Sequence, residues 1–315
     1  MSNILVTGGC EFIGSAIVDV LRRTAHEVHV VDDLSLGKDY WVGQPDRPQL
    51  HVQDILDAAA LDALFEKIKP DVVFHMAAHH FIPLCENRPY DAYRLNVGGT
   101  LNVLESSRKT QVKRFFFAST GDVYPPAFTP HREVDTVSPI YVYGHTKLIA
   151  EQICVKFFET HLVDSSLIIG RIFNAAGRRE TNPHLIPEVV KQIMQGKSVV
   201  EVGNLWPKRD FVDVDSMAEV IANLTLNSSG IELVNIGSGE VQEIGHVLEL
   251  LKAAAPHPVD VVSVPERQRP NDRAFLCPDV ARLKRLNGAS AKPFSAGTAK
   301  LLFAEASNRA AATSR

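Results

Sequence analysis

Short apolar runs alternate with amphipathic stretches through the first half of the chain, and their order predicts a repeated strand–helix unit. Ile4-Leu5-Val6 is a strand-like run that ends in Thr7-Gly8-Gly9 and leads directly into Phe12-Ile13-Gly14-Ser15-Ala16-Ile17-Val18, which has helical character. A second apolar run, 28–31, closes on Asp32 and Asp33, and His51-Val52-Gln53-Asp54-Ile55 marks a third strand end. Residues 58–68 have the spacing of an amphipathic helix, which Lys69-Pro70 stops. Residues 72–78 read as a fourth strand with small residues at its exit. Residues 96–104 belong to a long helix, and 114–118 form a fifth buried strand. After a proline-rich loop (125–139), a helix opens at Tyr143 and runs through Phe157; 165–169 is another strand. Buried strands alternating with helices predict a parallel sheet covered on both faces.

The alternation loosens after Arg171-Ile172-Phe173-Asn174. Helices are expected over 185–194 and 216–226, and strands over 199–202 and 233–236. The expected fold class is therefore α/β: a Rossmann-like doubly wound parallel sheet with a smaller C-terminal α/β substrate-binding lobe. The first comprises 1–172 with 209–238 returning to it; the second comprises 173–208 and 239–315. Residues 308–315 are expected to be disordered.

Composition narrows the function classes. The chain has 315 residues, 45% hydrophobic and 22% charged, with a formal net charge of −4, which disfavours general affinity for nucleic acid. Four cysteines, Cys10, Cys85, Cys154 and Cys277, have no metal-ligand spacing, and no further ligand follows His79-His80 at the distance a metal site needs. No metal is expected. With no apolar run of transmembrane length and strand-like residues from Asn3 onward, the expected setting is cytoplasmic and off the membrane.

The candidate chemistry lies at the strand ends. Strand, glycine turn and helix together are the context of a dinucleotide fingerprint: Gly8 allows a tight turn, and Gly14 lets helix pack closely on strand. The middle glycine of Gly-x-x-Gly-x-x-Gly is replaced by Glu11, whose carboxylate either weakens binding of a pyrophosphate or turns out to solvent. Asp32, ending the second strand, suits a ribose diol and favours NAD over NADP, with Asp33 beside it; Asp54 suits an adenine amino group. Ser119-Thr120 leaves the fifth strand at the sheet edge where ligands bind, and a Thr hydroxyl there can donate to a substrate oxygen. Tyr143 and Lys147 stand at i and i+4 on one helix face. A phenol has a reference pKa of about 10, and a neighbouring cation favours its ionised form, making it a usable base.

These stretches resemble the extended short-chain dehydrogenase/reductase family, in particular its NAD-dependent nucleotide-sugar epimerases and dehydratases. The resemblance is carried by Thr7-Gly8-Gly9 with Phe12-Ile13-Gly14, Val31-Asp32-Asp33-Leu34-Ser35, His75-Met76-Ala77-Ala78 and Asn96-Val97-Gly98-Gly99-Thr100. Tyr143-x-x-x-Lys147, Arg171-x-x-Asn174, Arg209-Asp210-Phe211 and Asn235-Ile236-Gly237 complete it. It implies that Tyr143 takes the sugar O4 proton as hydride leaves C4 for the nicotinamide. Lys147 would hold the nicotinamide ribose, and Thr120 would hydrogen-bond the reacting oxygen. The implied NAD contacts are Gly8, Glu11, Phe12, Ile13, Asp32, Asp33, Asp54, Ile55, Ala77, Ala78, Asn96, Tyr143 and Lys147. The implied nucleotide-sugar contacts are Asp122, Asn174, His184, Leu185, Arg209 and Arg269, with His80 and Trp206 near the sugar.

The branch of the family is read from Thr120-Gly121-Asp122. The resemblance puts Asp-Glu after the Thr in 4,6-dehydratases and Ser-Glu in decarboxylases. Gly121 cannot act as an acid, and Asp122 is one methylene shorter than Glu. A 4-epimerase needs neither residue, so a UDP-hexose or UDP-hexuronate 4-epimerase is the leading expectation. A decarboxylase or dehydratase using Asp122, or an NAD-binding sensor without chemistry, are the alternatives. By the same resemblance a homodimer is expected, paired through the helices that begin near Asp91 and Tyr143.

Overall fold

The structure is a computed structural model that describes residues 1–180, 182–268 and 273–313, with side chains as far as Asn308. The apolar runs form one seven-stranded parallel sheet. Its first six strands are β1 (Asn3–Thr7), β2 (Glu27–Asp32), β3 (Gln49–Val52), β4 (Val72–His75), β5 (Arg114–Thr120) and β6 (Ser166–Ile172). Ile231–Ile236 adds the last strand against β6, and the spatial order runs 231–236, β6, β5, β4, β1, β2, β3. The chain builds outward from β1 in one direction and then, from β4, in the other. The reversal leaves a crevice at the carboxyl ends of β1 and β4, where open α/β sheets bind ligands.

Period-two alternation divides the core. Ile4, Val6, Phe74 and Phe116 face a layer containing Ile17, Met217 and Ile221, from helices Phe12–Leu21 and Val214–Asn227. Leu5, Val73, Phe115 and Phe117 face the opposite layer, with Phe65, Leu104 and Phe158 from helices Ala58–Ile68, Thr100–Thr110 and Val142–His161. Each fully buried Phe contributes about 1.5–3 kcal/mol relative to exposure, so β5 is pinned in register from both sides. His75 ends β4 inside this core and bridges Thr7 Oγ1 (2.7 Å) and Thr100 Oγ1 (2.9 Å). Burial holds its imidazole neutral, with a pKa of about 3.

A third apolar cluster, including Ile186, Val190, Val200, Phe211, Leu248, Phe294 and Phe303, forms a smaller α/β layer. It is built on helices Leu185–Met194, Ile244–Ala254 and Ala296–Thr313 and the parallel pair Val199–Val202 and Asp260–Ser263. The expected disordered tail is corrected here: the last helix continues to Thr313, anchored in the cluster by Ala299, Leu302 and Phe303, while Ser314 and Arg315 lie outside the described residues. Two short helices (Ile82–Asn87, Pro89–Tyr93) and a π-helical stretch (Arg94–Gly99) also precede Thr100–Thr110 without a clear sequence signal. Among the described residues no helix is long and apolar enough to cross a membrane. All four cysteines are free and buried.

Candidate active site

The glycine turn is shaped by close backbone approach. Gly8 has φ +67°, and a Cβ there would lie 2.7 Å from the backbone of Ala77. A Cβ on Gly14 would collide with the Gly8 carbonyl, so Gly at both positions lets β1, its helix and the β4 exit meet. Glu11 is the N-cap residue of Phe12–Leu21 but makes no side-chain capping bond. The first-turn residues Phe12, Ile13 and Gly14 line a cleft of about 730 Å³ together with Gly8, Glu11 and Ala78. Main-chain amides at a helix start suit a diphosphate, so this cradle fits a dinucleotide.

Glu11 does not turn out to solvent. Its side chain is 25% exposed, and burial with the nearby Asp32 and Asp33 charges pushes its pKa up to about 8. Asp32 is buried at the end of β2 and accepts from Cys10 N and Leu34 N, both at 2.9 Å. It thereby braces the glycine turn, and an ionised carboxylate keeps further lone pairs for a ribose hydroxyl.

Several expected cofactor contacts have other work in the structure. Asp33 and Asp54 are exposed and accept from Ser35 N and Leu56 N in local turns. Ile55 packs in the core, where a Cβ on Gly99 would touch it. Ala77 supplies the backbone against Gly8. Asn96 acts as a brace: its amide accepts from His79 N (2.8 Å) and donates to His79 O and Thr146 Oγ1 (2.9 Å each). That fixes the loop after β4 and leaves the Asn96 side chain with no face on the cleft.

Thr120, Tyr143 and Lys147 line the same cleft, brought there by two elements. β5 delivers Thr120 to the sheet edge, and the helix Val142–His161 presents Tyr143 in its first turn and Lys147 one turn later. The Thr120 hydroxyl neighbours the Tyr143 phenol and favours its ionised form. The expectation that Lys147 brings the phenol down is corrected. The net shift is upward, because burial and then the Asp122 charge outweigh the Thr120 hydroxyl. Lys147 is itself buried, its Nζ stands 4.6 Å from the Phe117 ring centre, and burial lowers its pKa to about 8.

Glu151, to which no sequence motif assigns a role, organises the wall behind these groups. Arg171 donates to it through Nε (3.0 Å) and Nη2 (2.8 Å), and Ser119 Oγ donates to the same carboxylate. Arg171 Nη1 also reaches Tyr124 Oη (2.8 Å), which donates to Asn235 Oδ1 (2.8 Å). Two of the motif residues, Arg171 and Asn235, are therefore buried structural partners.

The far end of the cleft is lined by Asp122, Asn174, His184, Leu185 and Arg209, along with Glu180, Asn204, Arg267 and Arg273. Asn174 Oδ1 is buried with no hydrogen-bond partner among the described residues. His184 Nδ1 is paired with Glu180, and Arg209 Nη1 donates to Lys208 O (3.0 Å). Arg269 lies outside the described residues. Trp206 is 53% exposed and does not line the cleft, whereas His80 does. The sequence analysis singles out Arg269 and not Arg273, which is the guanidinium buried against Asp122, Nη1 to Oδ1 3.6 Å. Among the described residues no His, Cys, Asp and Glu cluster has the geometry to hold a metal ion.

Comparison with known proteins agrees with this layout. The chain is 31% identical over 328 residues to UDP-glucose 4-epimerase of Bacillus subtilis (strain 168), covering 92% of each. It is 27% identical over 297 residues to UDP-glucuronic acid decarboxylase 1 of Danio rerio, covering 90% of this chain and 68% of that protein. The structure of UDP-glucose 4-epimerase from Thermotoga maritima with UDP-glucose superposes with a TM-score of 0.88 at 28% identity, over 98% of this chain and 99% of that one. The profile of the NAD dependent epimerase/dehydratase family matches residues 4–237, spanning the glycine turn, Thr120, Tyr143 and Lys147. The chain belongs to the NAD-dependent epimerase/dehydratase family, and NAD is its cofactor.

Proposed function

We propose that the protein is a nucleotide-sugar 4-epimerase acting on a UDP-hexose or UDP-hexuronate through a 4-keto sugar. The observation that carries this reading is Thr120 and Tyr143 side by side in one cleft with Lys147, next to a glycine where a dehydratase needs an acid. When bound, NAD supplies a reversible hydride acceptor. Tyr143 takes the O4 proton and later returns it, while Thr120 holds the same oxygen and stabilises its developing charge. Lys147 orients the cofactor ribose. Asn174 and Arg209 hold the diphosphate, an anion that guanidinium and amide donors suit. Epimerisation needs room for the 4-keto sugar to present its other face, and a cleft of about 730 Å³ is ample.

The same reading assigns 1–172 with 209–238 to cofactor binding, and 173–208 with 239–315 to the nucleotide sugar. We also propose a homodimer through the Pro89–Thr110 and Val142–His161 helical faces, where Tyr90 and Leu101 are exposed. A monomer by light scattering at working concentration overturns the dimer.

A second reading, decarboxylation or dehydration through Asp122, is favoured by the place of that carboxylate in the cleft and by the decarboxylase relative. The deciding experiment incubates the protein and NAD with UDP-hexoses and UDP-hexuronates and follows product mass and proton NMR. A stereoisomer of unchanged mass supports epimerisation; loss of carbon dioxide or water supports the second reading. Asp122→Asn should leave epimerisation measurable and abolish a reaction that relies on the carboxylate. Tyr143→Phe should lose at least about a hundredfold in kcat with an unchanged melting temperature. Full activity in that variant rules out the phenol as base, and no conversion of any donor favours an NAD-binding sensor.

A further inference from the structure

Arg273 is a buried guanidinium with an unusual set of contacts. It enters the cleft just before Phe275–Leu276, the short strand that pairs with Lys208–Arg209 in the second layer. Its residue exposure is 6%, yet Nε and Nη1 have no hydrogen-bond partner among the described residues. What it does reach is one residue. Nη1 stands 3.6 Å from Asp122 Oδ1, and Nη2 lies 3.5 Å from the Asp122 carbonyl oxygen. A buried cation so poorly satisfied calls for an explanation beyond packing.

Asp122 is the link to the catalytic pair. Its N–H donates to Thr120 Oγ1 at 3.2 Å, and its carbonyl packs so closely on Gly144 that a Cβ there would collide with it. Gly144 follows Tyr143, and the Thr120 hydroxyl neighbours the phenol. A continuous path therefore runs from the second layer through Arg273 and the Gly121–Val123 turn to both Thr120 and Tyr143. We propose that Arg273 is a positioning residue that acts through Asp122, holding this turn in place and offsetting the Asp122 charge that faces the phenol. The proposal rests on the reading of Tyr143 as the base.

The other charged and titratable groups around the pair can be named. Arg209 and His184 face Asp122 from the second layer and the loop before it, and His131 faces Arg273. Cys85 faces Tyr143 from helix Ile82–Asn87; its buried thiol is pushed up to about 11 and stays neutral at working pH. After burial, the Asp122 charge is the largest influence raising the phenol pKa, and Glu86, which accepts from Val142 N, is a further carboxylate in the cleft. Arg273 is the largest influence favouring the ionised form of Asp122. With the guanidinium removed, Arg209 and His184 still favour the ionised form of Asp122, and its charge then acts on the phenol with one cation fewer to offset it, so the phenol becomes still harder to ionise. Removing the Asp122 charge does the reverse.

The test follows the pH profile of kcat on UDP-glucose and UDP-glucuronate, together with the tyrosine 13Cζ titration of the NAD-loaded protein, Tyr143→Phe assigning the signal. Arg273→Met should move the acid limb of kcat and the phenol titration upward by about one pH unit. Arg273→Lys should stay near the parent. Adding Asp122→Asn to Arg273→Met should reverse the shift, which a purely structural loss would not allow. An unshifted Arg273→Met, or a shift that Asp122→Asn does not reverse, overturns the proposal. If Arg273→Met fails to fold, Asp122→Asn alone decides: it should lower the phenol titration, and no change refutes the link. If neither nucleotide sugar is turned over while the titration shifts as described, the proposed epimerase function fails and the Arg273 link stands.

Discussion

Glu11 and His80 face each other at the cofactor end of the cleft, Oε2 of one 3.9 Å from Nδ1 of the other, with both side chains about three-quarters buried. Burial raises Glu11 to about 8 and lowers His80 to about 4, so at neutral pH a neutral acid meets a neutral imidazole. The residue that breaks the glycine pattern is therefore accommodated by being kept uncharged.

For an acid with a raised pKa, the folded state holds the proton more tightly than the unfolded chain. Its contribution is favourable at low pH and is lost as pH climbs from the ordinary carboxylate range to about 8. Glu11→Gln should melt several degrees higher than the parent at pH 8, with the gap closing near pH 4.5. Scanning calorimetry at both pH values reads this; a gap independent of pH refutes a buried neutral Glu11. Glu11→Gly should also bind NAD about tenfold more tightly at pH 8 by titration calorimetry, because no carboxylate then forms beside the diphosphate.

Lys147 behaves with the opposite sign. Its folded pKa is lowered to about 8 by burial, so the charged form is penalised below that pH, and the penalty fades as pH rises toward the ordinary lysine value of about 10.5. Lys147→Met should therefore be more heat-stable than the parent at pH 7, converge with it near pH 10, and lack activity at every pH. Equal melting points at pH 7 would mean that the ammonium is not desolvated.

Glu151 and Arg171 form the most buried ion pair at the site, with side chains 6% and 5% exposed. Arg171→Met strands a buried carboxylate and should cost about 3–5 kcal/mol in urea unfolding. The double variant Glu151→Gln with Arg171→Met should recover much of that loss. If the double variant is as unstable as the single one, the pair matters through packing and not through charge.

Much of the fold was legible because its signals are local. Phe115, Phe116 and Phe117 announce a strand buried on both faces, and Thr7-Gly8-Gly9 before Phe12 marks a strand–turn–helix junction whatever follows. Tyr143 and Lys147 share a face because helical spacing requires it. Asn96, Asp33 and Asp54 were singled out for the same reason: each has the right residue type at the right distance along the chain. Whether such a group meets a ligand also depends on what else engages it, and only the fold shows that each has a backbone partner as well. The C-terminal helix was missed because alanines and polar residues show little periodicity until Leu302 and Phe303 find their cluster.

Residue order by itself determined the parallel sheet, the glycine turn, the acid that ends β2 and the Tyr143–Lys147 register, since each follows from the periodicity or conformational limits of neighbouring residues. Tertiary structure alone decided the charge states of Glu11, Tyr143 and Lys147, because desolvation is set by everything packed around a group. It also decided the partnership of Asp122 with Arg273, two residues 151 positions apart, for no local rule brings the second layer's guanidinium against a turn of the first.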